Sequence, residues 1–411
     1  MPATPSNRLT HQRSFVLFWC ARTFTNVAYM MQGVAVGWQL YDLTNNPLDL
    51  GLVGLVQFFP LIAMSVIAGQ VLDLFDRRLI AGICQVGKAL AALALAVGTW
   101  QGWLGREAMF AILFLSGTAR AFEIPTMHSL LPGVVPVRLL PRAIAASATA
   151  QQTAVISGPS IGGLLYLLGP TVVYVTCTAI FIIACGLIAF IEVAPRKEER
   201  QPVTLATVFA GFRYIRANPI VLGAISLDLF AVLLGGVTAM LPIYARDILH
   251  AGPWALGLLR SAPAVGALIV SVVLARRAIE HRAGTIMFAA VGMFGVASVL
   301  FGLSTSIALS FLALAVYGAS DAVSVVIRQS LVQLRTPSDM LGRVMAVNSL
   351  CTGSSGTLGE FRAGLIAAWL GAVPSVLIGG FGAVVVMATW MWAFPQLRQV
   401  DKLAPDAKAS T

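Results

Sequence analysis

The sequence predicts an all-α membrane protein of about twelve transmembrane helices, arranged as two pseudo-symmetric six-helix bundles. Three features carry that expectation: a composition poor in charge, apolar runs of bilayer-spanning length, and a second half that echoes the first. Only 11% of the 411 residues are Asp, Glu, Lys or Arg, while 58% are hydrophobic. A soluble domain carries about a quarter of its residues as charges. One soluble core could not bury so much apolar surface, whereas a stretch of about 20 apolar residues crosses a bilayer.

The apolar runs fall at roughly 15–40, 48–72, 79–103, 107–131, 143–167 and 170–194, and six more begin near 219, 253, 283, 306, 343 and 372. The expected organisation is a cytoplasmic N-terminal tail (1–14), a first six-helix bundle (15–194), a cytoplasmic linker with an amphipathic segment (195–218), a second six-helix bundle (219–394) and a cytoplasmic C-terminal tail (395–411). Basic residues precede the first run, but that run outlasts a signal-peptide core and lacks a clear cleavage site, so it reads as an uncleaved helix.

Charge placement supplies the orientation. Loops on the side shared by both termini hold 20 of the 27 Lys and Arg residues, Arg328 counted among them, and the opposite loops hold only Arg106 and Arg246. Short cytoplasmic loops collect cationic residues, which predicts cytoplasmic termini; the expected location is the bacterial inner membrane. The net charge of +10 comes in ones and twos between apolar runs, a pattern of membrane topology rather than of nucleic-acid binding. The five cysteines lie inside apolar runs with no CxxC pair and no nearby histidine, so neither disulfides nor a metal site is expected.

The halves match at an offset of 201 residues: Gly117 meets Gly318, Ser129 and Leu130 meet Ser330 and Leu331, Pro136 meets Pro337, and Arg142 meets Arg343. Further along, Gly158 meets Gly359 and Gly163 meets Gly364. A gapless register of this kind points to duplication, a common origin of membrane transport folds.

Ionisable groups in hydrocarbon cost about 3 kcal/mol each on insertion scales, so they turn to the interior of a bundle. The candidates are Arg22, Lys88, Arg120 and Glu123 in the first half and Asp228, Arg260, Asp321, Glu360 and Arg362 in the second. Fixed ion pairing or snorkelling would account for some of them, and Arg260, near the outer end of its helix, is read that way. Arg120 and Asp321 hold equivalent repeat positions with opposite charge, so a substrate or proton could be held between them. Glu360 could take up a proton in a dry helix interior. Its effect on coupling depends on whether Arg362 faces it, which a spacing of two residues disfavours. Phe18, Trp19, Asn26 and Gln32 join Arg22, Lys88 and Arg120 as candidate cavity residues suited to an amphipathic or anionic organic molecule.

Two local motifs stand out. Gly69, Asp73, Arg77 and Arg78 run from the end of the second span into the turn before the third, where the arginine pair alone would be a topology signal. Gly158-Pro159-Ser160-Ile161-Gly162-Gly163 sits inside the fifth span, where proline deletes a backbone hydrogen bond and glycine permits close helix contact. Small residues are frequent in membrane helices, so packing alone is the bland explanation.

With these motifs the chain resembles the major facilitator superfamily over nearly its whole length. Trp38-Gln39-Leu40-Tyr41-Asp42-Leu43-Thr44 and Gly342-Arg343-Val344-Met345-Ala346-Val347-Asn348 are similar to the branch that contains the enterobactin exporter. The resemblance implies that Gly69, Asp73, Arg77 and Arg78 form a gating motif. Leu74 stands where an arginine is usual. It also implies that Gly158, Pro159, Gly162 and Gly163 are the core of a helix-five motif of antiporting exporters, whose upstream glycines are absent here. In the second half Arg276 and Arg277 echo only the basic end of the loop motif.

The expected function is that of a secondary active transporter, a proton-coupled antiporter exporting a small amphipathic or anionic molecule such as a siderophore or drug. An importer on the same fold is the alternative. A membrane enzyme or sensor is disfavoured by the absence of HExxH, GxSxG or Walker patterns and of any extramembrane domain. No cofactor is expected beyond the proton gradient. The expected partners are substrate, protons and lipid, with a monomeric chain.

Overall fold

A computed structural model describes residues 9–192, 205–277 and 281–401 of the chain, and among these residues every regular element is helical. In chain order the helices are α1 (Arg13–Thr44), α2 (Pro47–Ala63), α3 (Ser65–Leu74), α4 (Arg77–Gln101), α5 (Arg106–Val134), α6 (Leu140–Leu165), α7 (Pro170–Ala189) and α8 (Leu205–Ala217). They continue with α9 (Pro219–Leu234), α10 (Val237–Ile243), α11 (Pro253–Arg276), α12 (Ala283–Leu303), α13 (Ile307–Arg335), α14 (Ser338–Leu370), α15 (Ala372–Ala393) and α16 (Pro395–Arg398).

Eight segments are long and apolar enough to cross a bilayer by themselves. Three more, α1, α6 and α14, have 32, 26 and 33 residues and at 1.5 Å per residue span at least about 39 Å, more than a hydrocarbon core. They read as less apolar because small and hydroxylated residues interrupt them. The twelfth is α2 with α3, broken at Met64 about one turn beyond Pro60. The twelve expected spans are therefore all present.

Helix ends follow local chemistry. Pro170, Pro219 and Pro253 open α7, α9 and α11, at positions where a missing N–H costs nothing. Asp76 caps α4 by accepting from the Arg78 backbone N–H at 2.8 Å. The gap between α9 and α10 falls at Gly235–Gly236, with Gly236 at φ +73°, a left-handed conformation that favours glycine.

The chain divides into two compact units. Among the described residues, the first contains 9–45, 55–192 and 251–261, and the second 46–54, 205–250, 262–277 and 281–401. In the first, α1 packs on α6 and α7, and α4 on α5 and α7, around a core that includes Phe15, Phe18, Leu130 and Ile188. In the second, α12 packs on α13 and α15, and α9 on α14 and α15, around Leu227, Phe288, Ile327 and Leu397. Trp100, Trp369 and Trp392, at the ends of α4, α14 and α15, are at least 77% exposed, as expected of interfacial anchors.

The repeat gains a physical meaning here. Helices α5 and α13 are 29 residues each and stand 201 residues apart at both ends. The paired glycines serve equivalent contacts within their units. A Cβ on Gly117 would come 2.8 Å from the Gln57 carbonyl of α2, and one on Gly318 would come 2.0 Å from the Pro263 carbonyl of α11. Gly158 meets α1 at Met30, and Gly359 meets α9 at Val232. Gly163 lies against Gly257 of α11, and Gly364 against Gly51 of α2.

Candidate functional site

Three of the charged candidates of the first half, Arg22, Arg120 and Glu123, converge on one cavity. Residues 120, 123, 124, 127 and 128 of α5 share a helical face, as do residues 22, 25 and 26 of α1. Together with Gln151 of α6 they line a cavity of about 290 Å³: Arg22, Thr25, Asn26, Arg120, Glu123, Ile124, Met127, His128 and Gln151. Four of these, Arg22, Asn26, Arg120 and Glu123, are candidates from the sequence.

Lys88 does not line the cavity. It is 1% exposed and reaches Glu123 from behind in a short, buried ion pair. The other Glu123 oxygen accepts from Gln85 at 2.7 Å, and Thr25 donates to the Gln85 carbonyl oxygen at 3.0 Å. Two side chains of α4 thus hold the carboxylate of α5, and α1 steadies one of them through Thr25. The Arg120 guanidinium lies 3.9 Å from the ring centre of Tyr29, whose hydroxyl donates to Gln57 at 2.7 Å. Phe18 is buried in the hydrophobic core, and Trp19 donates to the Ala146 carbonyl at 2.9 Å. Both are absent from the cavity wall, as is Gln32, buried in α1. Arg260 donates to the Gly33 carbonyl at 2.9 Å.

In the second unit the main ion pair joins Asp228 of α9 to Arg328 of α13 at 3.2 Å. Arg328 also donates to Asn348 at 2.7 Å and to Thr352 at 3.1 Å, both on α14. The sequence reading that counted Arg328 among loop cations is therefore corrected: its side chain is 2% exposed inside α13. The helix runs seven residues past it, and the flanking Val325, Val326, Ile327, Leu331 and Val332 were the signal that could have shown this. Asp321 lies two turns earlier on α13 and makes no hydrogen bond or ion pair among the described residues. Glu360 accepts from Thr238 at 2.7 Å. Arg362 donates to the carbonyls of Leu234 and Gly235, at 2.6 and 3.0 Å, and so caps the end of α9. The two neighbours in sequence thus serve different partners.

At the turn between α3 and α4, Arg77 donates to the Ser129 carbonyl of α5 at 2.9 Å. Arg78 donates to the Ile191 carbonyl at 3.0 Å and pairs with Asp76 at 3.0 Å. Hydrogen bonds from Arg78 hold the Asp76 carboxyl below the usual carboxylate range. A Cβ on Gly69 would meet nothing within 4 Å, and the side chain of Asp73 lies outside the described residues. Replacing Arg77 by glutamine is expected to cost about 1.5–3 kcal/mol, the range for a hydrogen bond with a charged partner, and a lower unfolding midpoint in detergent checks this. In α6, Gly158 and Gly162 press against Met30 and Met31 of α1, while Gly163 and the Pro159 carbonyl press against Gly257.

A family model described as transmembrane secretion effector, a branch of the major facilitator superfamily, matches residues 5–410. The chain belongs to this superfamily. The transporter is 25% identical over 407 residues to the enterobactin exporter EntS of Shigella dysenteriae serotype 1, covering 97% of this chain and 95% of that one. It is also 25% identical over 358 residues to an uncharacterised MFS-type transporter, YfiS, of Bacillus subtilis, covering 83% of each. The fold is shared with a bacterial homologue of the lysosomal transporter Spinster in an inward-facing occupied conformation (TM-score 0.76, 12% identity, 96% of this chain and 100% of that one). A D-xylose–proton symporter also shares it (TM-score 0.70, 13% identity, 98% and 100%). The protein is thus a multi-pass membrane transporter of small molecules and not an enzyme.

Proposed function

We propose that this transporter is a proton-driven exporter that carries a small amphipathic or anionic organic molecule, of siderophore or drug type, out of the cytoplasm. The observation that carries the reading is the cavity between α1, α5 and α6, where the Asn26 and Gln151 amides and the Arg120 guanidinium stand near the middle of their helices. Polar groups at that depth are costly, and a transported ligand is what repays them. The direction is supported by relatives named as enterobactin exporters over nearly the whole chain and by the Gly158–Gly163 motif.

Proton coupling is assigned to Asp321 and Glu360. Among the described residues Asp321 has no fixed partner and Glu360 is held only by a neutral hydroxyl, so each can exchange a proton without breaking an ion pair. The chain works alone in the bacterial inner membrane with cytoplasmic termini, needs no cofactor, and draws its energy from the proton gradient.

Efflux from energised cells of a deletion strain carrying the gene, measured against a panel of siderophores and amphipathic drugs, tests this. Accumulation of the exported compound is expected to fall, and an uncoupler to abolish the effect. Asp321→Asn combined with Glu360→Gln is expected to lower gradient-driven efflux at least tenfold while leaving counterflow exchange. Undiminished gradient-driven efflux from the double variant would sink the coupling assignment.

A further inference from the structure

The cavity of the first unit carries a charge imbalance that its own side chains do not resolve. Arg22 and Arg120 both line it, and neither makes a hydrogen bond or ion pair among the described residues. The one carboxylate on the wall, Glu123, is on the same helix as Arg120 and three residues beyond it, a spacing at which two side chains meet. It does not turn to the arginine. One oxygen is taken by the Lys88 ammonium and the other by the Gln85 amide, whose orientation Thr25 fixes by donating to its carbonyl oxygen. Lys88 and Glu123 cancel, so the cavity keeps the two guanidinium charges.

Arg120 is held without being neutralised. The Tyr29 ring beneath it attracts the cation through its π face, and the bond from Tyr29 to Gln57 keeps the ring in place. A guanidinium offers five donors in a planar fork suited to carboxylate, sulfonate or catecholate oxygens. A volume of about 290 Å³ admits a group the size of one or two aromatic rings.

We propose that Lys88 is a specificity-determining residue: by holding Glu123 against α4 it keeps Arg22 and Arg120 open, and the site takes an aromatic-sized organic molecule bearing two negative groups. Without Lys88 the Glu123 carboxylate turns to Arg120 and fills the place of the substrate's anionic group. The inference rests on the transporter reading and deepens it by naming the ligand's charge and the residue that enforces it.

The test measures binding to the purified full chain with naphthalene probes of one shape: 1,5-naphthalenedisulfonate, 1-naphthalenesulfonate and neutral 1-naphthalenemethanol. The disulfonate is expected to bind at least tenfold more tightly than the alcohol, with an affinity that falls as salt rises. Arg22→Gln and Arg120→Gln are each expected to weaken it at least tenfold, and Lys88→Met to do the same without touching the wall. Lys88→Met with Glu123→Gln removes the competing carboxylate and is expected to restore disulfonate binding to within threefold. This double variant buries no lone charge, so it serves where Lys88→Met alone fails to fold.

Equal binding of the three probes, or no binding of any, overturns the proposal. So does a double variant that binds as weakly as the arginine variants. Charge-selective binding without efflux would leave this site standing and sink the exporter reading, and efflux without charge selectivity would do the reverse.

Discussion

Replacing Arg328 by methionine is expected to lower the stability of the second unit by about 3–5 kcal/mol, the range for breaking a buried ion pair from one side. The loss is large because Asp228 is 4% exposed and would be left charged and unpaired, while Asn348 and Thr352 would lose their donor. The Coulomb attraction itself is the smaller issue, since taking both ions out of water offsets most of it. A second variant separates the two terms. Asp228→Leu with Arg328→Met removes both charges and is expected to recover most of the loss. Unfolding midpoints in one detergent, followed by tryptophan fluorescence, make the comparison. If the single and the double variant unfolded together, the two residues would not act as a pair.

Gly318→Val is expected to destabilise by about 3 kcal/mol or more, at or beyond the upper end for overpacking. The added Cβ would lie 2.0 Å from the Pro263 carbonyl oxygen and 2.4 Å from its carbon. Those are main-chain atoms and cannot rotate aside, so α13 and α11 must separate along their contact. Its repeat partner offers a graded control: at Gly117 the nearest main-chain atom is 2.8 Å away, and valine there is expected to cost less. Gly69→Ala, with nothing within 4 Å, is expected to leave the unfolding midpoint unchanged. Equal midpoints for Gly318→Val and Gly69→Ala would refute the close-contact account of the repeat glycines.

Much of this arrangement was legible in the residues. Spans show because bilayer thickness fixes a minimum apolar length, and the repeat shows because the glycines at 117, 158 and 163 and at 318, 359 and 364 serve equivalent backbone contacts. Arg22, Arg120 and Glu123 could be picked out because charge within an apolar run is rare enough to notice. Arg328 escaped because positive charge near a span's end is also the signature of a loop, and only the continuing helix and the Asp228 carboxylate distinguish the two. Tyr29, Gln85 and Gln151 escaped because aromatic and amide side chains are common in membrane helices, and their roles depend on what faces them.

The sequence by itself determined the class of protein, the number of spans, the duplication and part of the short inventory of buried charges, Lys88, Glu123 and Asp228 among them. Each of these follows from chain-local physics: hydropathy over one bilayer thickness, or identity at one offset. The tertiary structure alone decided which charges pair. It joined Lys88 to Glu123 and Asp228 to Arg328, set Arg362 on the carbonyls that end α9, and left Arg22 and Arg120 facing a cavity. The physical reason is that an ion pair depends on a few ångströms between different helices, and helix spacing and rotation are set by packing that no single segment encodes.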